Sequence, residues 1–252
     1  MSSSAIPIAR CAPNFRDVGG LAAGGGRTVR CNVLYRSEHL APPEQDAAVL
    51  AALRIHSVID LRSDRERARA PNAWLHAQGA RIHDFDVTAD FRAHAMPHQA
   101  LLDDPGEGGA IVMMTSTYRE LPHAAGKALG EAAGLVARGE TPLLVHCTAG
   151  KDRTGFLCAM LLIAAGVSPD DAMADYLASE GRVHPQVHLS TKAVMADVGI
   201  DASDAMLRVL GGVRREFLQT SLSEIDAAFG SIDAYLTHVG VDRAAVRAAL
   251  VN

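Results

Sequence analysis

Residues 142–166 read PLLVHCTAGKDRTGFLCAMLLIAAG: an apolar run, a polar loop, and a second apolar stretch closed by glycine. PLLVHC (142–147) is short and apolar and predicts a buried strand. FLCAMLLIAAG is longer and rich in alanine and leucine, which predicts a helix. The loop HCTAGKDRTG (146–155) therefore carries a cysteine from a strand end to a helix start, a place where α/β chains tend to keep their chemistry.

The flanking sequence repeats this alternation. TVR (28–30), NVLYRS (32–37), HSVIDLR (56–62) and RIHDFDV (81–87) predict further strands. EQDAAVLAAL, opened by Pro42 and Pro43, and the stretch from Tyr118 to Ala137 predict helices between them. Strand–helix alternation points to an α/β fold with a mainly parallel central sheet flanked by helices. After Thr154 the pattern is helical only. Ser168-Pro169-Asp170-Asp171 is a helix start, and Ser231 and Asp242 read as N-caps. Residues 89–112, with DDPGEGG, read as a flexible connection, and 182–218 as helical with an apolar patch, MLRVLGGV. A length of 252 residues suits one domain spanning 1–252.

The loop's residue types fit the binding of a tetrahedral anion. Backbone N–H groups between a strand end and a helix N-terminus form a cradle for a dianion, and the helix dipole adds to the attraction. Thr148, Ala149, Gly150 and Lys151 supply those amides, with Gly150 free to adopt geometry that a β-carbon obstructs. Arg153 can grip two phosphate oxygens with its planar fork. The same groups favour the thiolate of Cys147, a nucleophile for in-line attack on phosphorus. Water then hydrolyses the cysteinyl-phosphate while the Thr154 hydroxyl donates to the departing sulfur. His146 orients the loop from behind. Cys158, inside the apolar helix without a basic neighbour, reads as packing, and Cys11 and Cys31 are candidate redox partners of Cys147.

Composition narrows the alternatives. A formal net charge of −5 argues against nucleic-acid binding, so attraction for phosphate must be local. The four cysteines lack C-x-x-C spacing, which argues against a zinc knuckle or a disulfide framework. His94/His98 and His184/His188 have metal-like spacing, but Pro97 and Pro185 disfavour continuous helices, so no metal and no cofactor is expected. Gly20 to Thr28 fails as a nucleotide-binding loop because Leu21 and Arg27 stand where glycine and lysine are needed. No apolar run reaches the ~18 residues of a membrane span, and the start MSSSAIPIARCAP lacks signal-peptide features. A cytoplasmic protein is the expectation, with export lacking a cleavable signal left open.

HCTAGKDRTG resembles the signature loop of the cysteine-dependent protein tyrosine phosphatases. Its GKDRTG half is similar to that of the bacterial, protein tyrosine phosphatase B-like branch, whose members also resemble dual-specificity and phosphoinositide phosphatases. Asn14-Phe15-Arg16-Asp17-Val18-Gly19-Gly20, Leu34-Tyr35-Arg36-Ser37, Val58-Ile59-Asp60-Leu61-Arg62-Ser63 followed by Asp64-Arg65-Glu66, and the tail SIDAYLTHVGVD resemble that branch as well. The resemblance implies the tyrosine phosphatase fold, with a helical lid over 182–218. It implies substrates among phosphotyrosine proteins, with phosphoserine, phosphothreonine or phosphoinositides as additions and inorganic phosphate as product. Asp152 corresponds to the branch's loop aspartate, orienting the loop or activating water as a base, with general acid as the other role. Asp60 and Asp64 are alternative acids, although Asp60, at a strand end, and Arg62 read more simply as supports behind the site. Lys151 suits a rim cation for multiply phosphorylated substrates. Asn14, Arg16 and Asp17 read as packing near the pocket. A non-catalytic phosphate-binding module is the rival reading, and a sulfurtransferase is disfavoured by Arg153 and the loop's length.

Overall fold

A computed structural model describes residues 11–87, 96–182, 189, 191–193, 195–196 and 199–252. In chain order it places β1 (Arg16–Asp17), β2 (Leu34–Ser37), α1 (Glu44–Ala51), β3 (Ser57–Asp60), α2 (Asp64–Arg69), α3 (Ala73–Ala77) and β4 (Arg81–Asp84). Next come α4 (Met96–Asp103), α5 (Glu107–Ala124), α6 (Gly126–Ala137), β5 (Leu143–His146), α7 (Asp152–Ala165) and α8 (Pro169–Leu177). The chain closes with α9 (Asp204–Gly211), α10 (Arg215–Phe229), α11 (Ile232–His238) and α12 (Arg243–Leu250).

The five strands run in the order β1-β2-β5-β3-β4. β5 is parallel to both neighbours, β3 is parallel to β4, and only β1 is antiparallel. The α/β class with a mainly parallel sheet thus stands. The chain inserts β5 between two strands it has already laid down, so the loop after β5 opens at the carboxyl ends of β2 and β3, where α/β sheets leave a crevice. Strand side chains alternate between faces. Leu34, Ile59, Leu143 and Val145 enter the larger core, under α5–α7 and the C-terminal helices. Tyr35, Val58 and Leu144 enter a smaller core with Leu50 of α1 and Leu75 of α3. With both faces covered, β5 is buried at every residue, which explains its unbroken apolar run.

α7 is buried from Thr154 to Ala165, as an all-round apolar helix must be. Ser168, Ser231 and Asp242 accept N–H bonds from Asp171, Ala234 and Ala245, so the three N-caps hold. TVR forms no strand; Thr28 and Val29 make only isolated bridges, to Ala22 and Val251.

Two connections differ from expectation. The described part of 89–112 is largely helical, because its glycines serve packing. A β-carbon at Gly109 would lie 2.0 Å from the Asp104 carbonyl oxygen and 2.5 Å from that of Ala100, so glycine lets α5 cross close to α4. The Asp104 carboxylate accepts from the Gly106 and Gly109 amides, at 2.8 and 2.9 Å, and caps the turn. The helix foreseen over 118–137 begins earlier and breaks at Ala125. Pro122 cannot donate to the Tyr118 carbonyl. The Ser221 hydroxyl donates to that carbonyl instead, at 2.5 Å, and the Tyr235 hydroxyl takes the Pro122 carbonyl, at 2.8 Å.

Within 182–218, α9 buries Met206, Val209 and Leu210 and, with α10, packs on α5. His94, His184 and His188 lie outside the described residues, as does the side chain of His98; among the described residues no cluster of metal-ligating side chains occurs. Also among the described residues, no helix is long and apolar enough to cross a membrane.

Candidate active site

The loop 147–151 is shaped by what holds its carbonyls. The Thr148 carbonyl accepts from the His39 amide at 3.3 Å. The Asn14 amide group donates to the carbonyls of Ala149 and Gly150, at 3.1 and 2.9 Å, and Arg36 adds a bond to Gly150 at 3.0 Å. Nδ1 of His146 lies 3.3 Å from the Cys147 carbonyl. In a trans peptide the carbonyl of one residue and the N–H of the next point opposite ways. Four carbonyls drawn backward therefore turn the N–H groups of Thr148, Ala149, Gly150 and Lys151 to the front. That is an anion cradle. Gly150 has φ +68°, and a β-carbon there would meet the Glu38 nitrogen and Ser37 carbonyl carbon at 2.4 Å. Only glycine fits.

The donors behind the loop are themselves fixed. Arg36 is fully buried and bonds Asp175 at 2.5 Å, while Arg16 bonds the other Asp175 oxygen at 2.8 Å and Asn14 Oδ1 at 2.6 Å. Burial acts to raise the Asp175 carboxyl, but the two guanidiniums hold it below its ordinary range. Asn14 and Arg16 thus act from behind the loop, and Asp17 caps the Gly19 and Asn32 amides.

Cys147 lies at the base of the loop with 2% of its surface exposed. Arg153 is anchored end-on by Glu66: Nη1 to Oε2 and Nη2 to Oε1, both 2.9 Å, with Nη1 also donating to the Leu61 carbonyl at 3.1 Å. Those bonds use three of the five guanidinium N–H groups and, among the described residues, leave Nε–H and one Nη2–H without a partner on a single edge, the fork that suits two phosphate oxygens. Glu66 also accepts from the Thr148 hydroxyl at 2.5 Å and the Ser63 amide at 2.8 Å. Burial would raise its carboxyl; Arg153, then Thr148 and Ser63, drive it far below the usual carboxylate range. The sequence marks Glu66 as part of an acidic segment and, through Ser63-x-x-Glu66, as a capping box, but not as the anchor of Arg153.

His146 and Asp60 face each other across the β3–β5 register. Burial lowers the His146 imidazole to about 4, so at neutral pH it is uncharged. Asp60 is fully buried with Arg62, which bonds both its oxygens, at 2.7–3.1 Å, and with Asn72 at 2.8 Å. Burial opposes ionisation there, but His146 and Arg62 bring the Asp60 carboxyl down to about 2. Asp60 is thus sealed among its partners, and Asp64 is 91% exposed and paired with Arg67. The Thr154 hydroxyl is buried and has no hydrogen-bond partner among the described residues. Burial pushes the Cys158 thiol up to about 12, in keeping with a packing role.

Asp152 opens α7, and its side chain is 23% exposed. Its Oδ1 accepts from the Tyr118 hydroxyl at 2.6 Å and from Lys151 Nζ at 3.0 Å; Oδ2 lies 2.8 Å from the same Nζ. Lys151 is only 2% exposed and also donates to the Gly212 carbonyl at 3.0 Å. The expected rim cation is therefore turned inward, linking Asp152 to the turn after α9. Nothing near Tyr118 in sequence marks it as more than a helix residue.

Comparison with known proteins bears on the family of the chain. The family model described as "Tyrosine phosphatase family" matches residues 7–251. A Cupriavidus necator protein assigned by name to the tyrosine-protein phosphatases is 38% identical over 88% of this chain and 80% of its own. The triple specificity protein phosphatase PtpB of Mycobacterium tuberculosis is 33% identical over 92% of this chain and 93% of its own. Among solved structures, TpbA of P. aeruginosa is 21% identical over 77% of this chain and 89% of its own, with a TM-score of 0.33.

Proposed function

The chain belongs to the tyrosine phosphatase family, and from that premise we propose that it hydrolyses phosphotyrosine in proteins through a phosphate carried on Cys147. It is a phosphoric monoester hydrolase; the roles of its residues and the choice of substrate are our reading.

The observation that carries the reading is the loop with its carbonyls drawn backward beside an arginine with one free edge. The amides of residues 148–151 and the Nε/Nη2 edge of Arg153 receive the three non-bridging phosphate oxygens. The Cys147 thiolate attacks phosphorus in line, a sulfur–phosphorus bond forms, and the bond to the tyrosyl oxygen breaks. A phenolate is a tolerable leaving group, which favours aryl esters. Water then attacks phosphorus, and the sulfur departs with a hydrogen bond from the Thr154 hydroxyl. Asp152, with Tyr118 and Lys151 donating to its oxygens, is arranged as an acceptor and takes the water's proton. No metal is needed in this scheme.

A non-catalytic binding module is disfavoured, because cysteine, arginine and the trailing threonine all stand in the same loop. A broader substrate range is supported by the 33% identity to a triple specificity phosphatase. The inward turn of Lys151 speaks against a second phosphate contact from that residue.

The test is Cys147→Ser. Turnover of 4-nitrophenyl phosphate is expected to vanish while calorimetry still detects inorganic phosphate binding. A serine variant as active as the wild type would end the covalent mechanism.

A further inference from the structure

Tyr118 is a fully buried phenol whose hydroxyl reaches the active-site loop from α5. Its ring stacks on Phe217 of α10, with centroids 5.5 Å apart, and meets Tyr176 of α8 edge-on at 6.1 Å. The two phenol oxygens are 2.8 Å apart. Tyr118 has one proton, and the acceptor-only carboxylate of Asp152 takes it at 2.6 Å. Tyr176 must then donate to the Tyr118 oxygen. A directed chain thus runs Tyr176 to Tyr118 to Asp152.

The partners of Asp152 give that chain a purpose. Lys151 contacts both carboxylate oxygens, at 3.0 and 2.8 Å, so it holds the group in place without telling one oxygen from the other. Tyr118 touches only Oδ1. Oδ1 is thereby occupied by two donors, and Oδ2 keeps spare acceptor capacity. We propose that Tyr118, backed by Tyr176, is a positioning residue that fixes the rotation of the Asp152 carboxylate and so selects Oδ2 to receive the proton of the attacking water. Burial, then the charge of Asp152, raises the Tyr118 phenol well above its ordinary value, so it stays a donor throughout the working range. The inference rests on Asp152 acting as the base proposed above.

Pre-steady-state turnover of 4-nitrophenyl phosphate by the full chain separates the two chemical steps. A positioning fault at Asp152 slows hydrolysis of the cysteinyl-phosphate and leaves its formation alone. Tyr118→Phe, which keeps the ring, is expected to retain the nitrophenol burst and the inhibition constant of inorganic phosphate, with kcat down about 10- to 100-fold. Asp152→Asn is expected to show the same pattern, and the double variant to lose no more than Asp152→Asn alone. Tyr176→Phe, which removes only the donor to Tyr118, is expected to show a smaller fall in kcat and carries the test should Tyr118→Phe not fold. An unchanged kcat in the folded variants would overturn the proposal. So would losses that multiply in the double variant, or burst and phosphate binding lost along with kcat. Failure of the phosphatase reading itself would look different: no burst in the wild type, or activity in Cys147→Ser.

Discussion

At the scale of single residues, the pair Glu66–Arg153 decides how well the site can bind. A guanidinium on a flexible stem loses rotamer freedom when it grips phosphate, and the end-on bond to Glu66 removes most of that cost beforehand. Glu66→Gln keeps the shape of the side chain but removes its charge and replaces one of the two acceptor oxygens that Arg153 uses. A fall in kcat/KM of about 10- to 100-fold is expected, roughly 1.4–2.7 kcal/mol of transition-state stabilisation. Steady-state kinetics on 4-nitrophenyl phosphate measures it. A Glu66→Gln enzyme as fast as the wild type would show that the loop alone orients Arg153.

At the scale of elements, the loop between β5 and α7 owes its shape to strands and turns earlier in the chain. Asn14 precedes β1 and Arg36 lies in β2, and together they hold the carbonyls of Ala149 and Gly150 away from the cradle. Asn14→Asp has nearly the same shape but no donor, and its charge faces those carbonyls. Asn14→Ala loses the same bonds without the repulsion. Asn14→Ala is expected to cost about 1–3 kcal/mol in chemical denaturation and Asn14→Asp more, with phosphate affinity falling in the same order. Equal phosphate affinity in all three proteins would separate the backside bonds from the cradle. Element boundaries, by contrast, depart from the sequence pattern where local signals serve packing. The glycines of DDPGEGG look like flexibility, yet a β-carbon at Gly109 would collide with the carbonyls of Ala100 and Asp104. Pro122 looks like ordinary helix in an alanine-rich stretch, yet it frees a carbonyl for Ser221.

At the scale of the whole molecule, what could be read from sequence is what is local. Cys147, Gly150, Arg153 and Thr154 share one stretch whose residue types already imply a cradle, and the parallel sheet shows in apolar runs spaced for crossovers. The residues that make the site rigid come from elsewhere: Glu66 is 87 positions from Arg153, and Tyr118 is 34 from Asp152. Each belongs to an element whose own pattern concerns capping or helix packing, so only the fold reveals the second use. The contact of Lys151 with Gly212 is hidden from the sequence for the same reason, since the two lie 61 residues apart. The net charge of −5 fits such a design, in which attraction for phosphate is confined to a few oriented groups.

The most direct measurement of the account is acid-quenched mass spectrometry during turnover of 4-nitrophenyl phosphate by Asp152→Asn, in which breakdown of the intermediate is expected to be slow. Phosphate bound to the peptide containing Cys147, and to no other, is the predicted result. Turnover with that peptide unmodified at every quench time, or phosphate on a different residue, would contradict it.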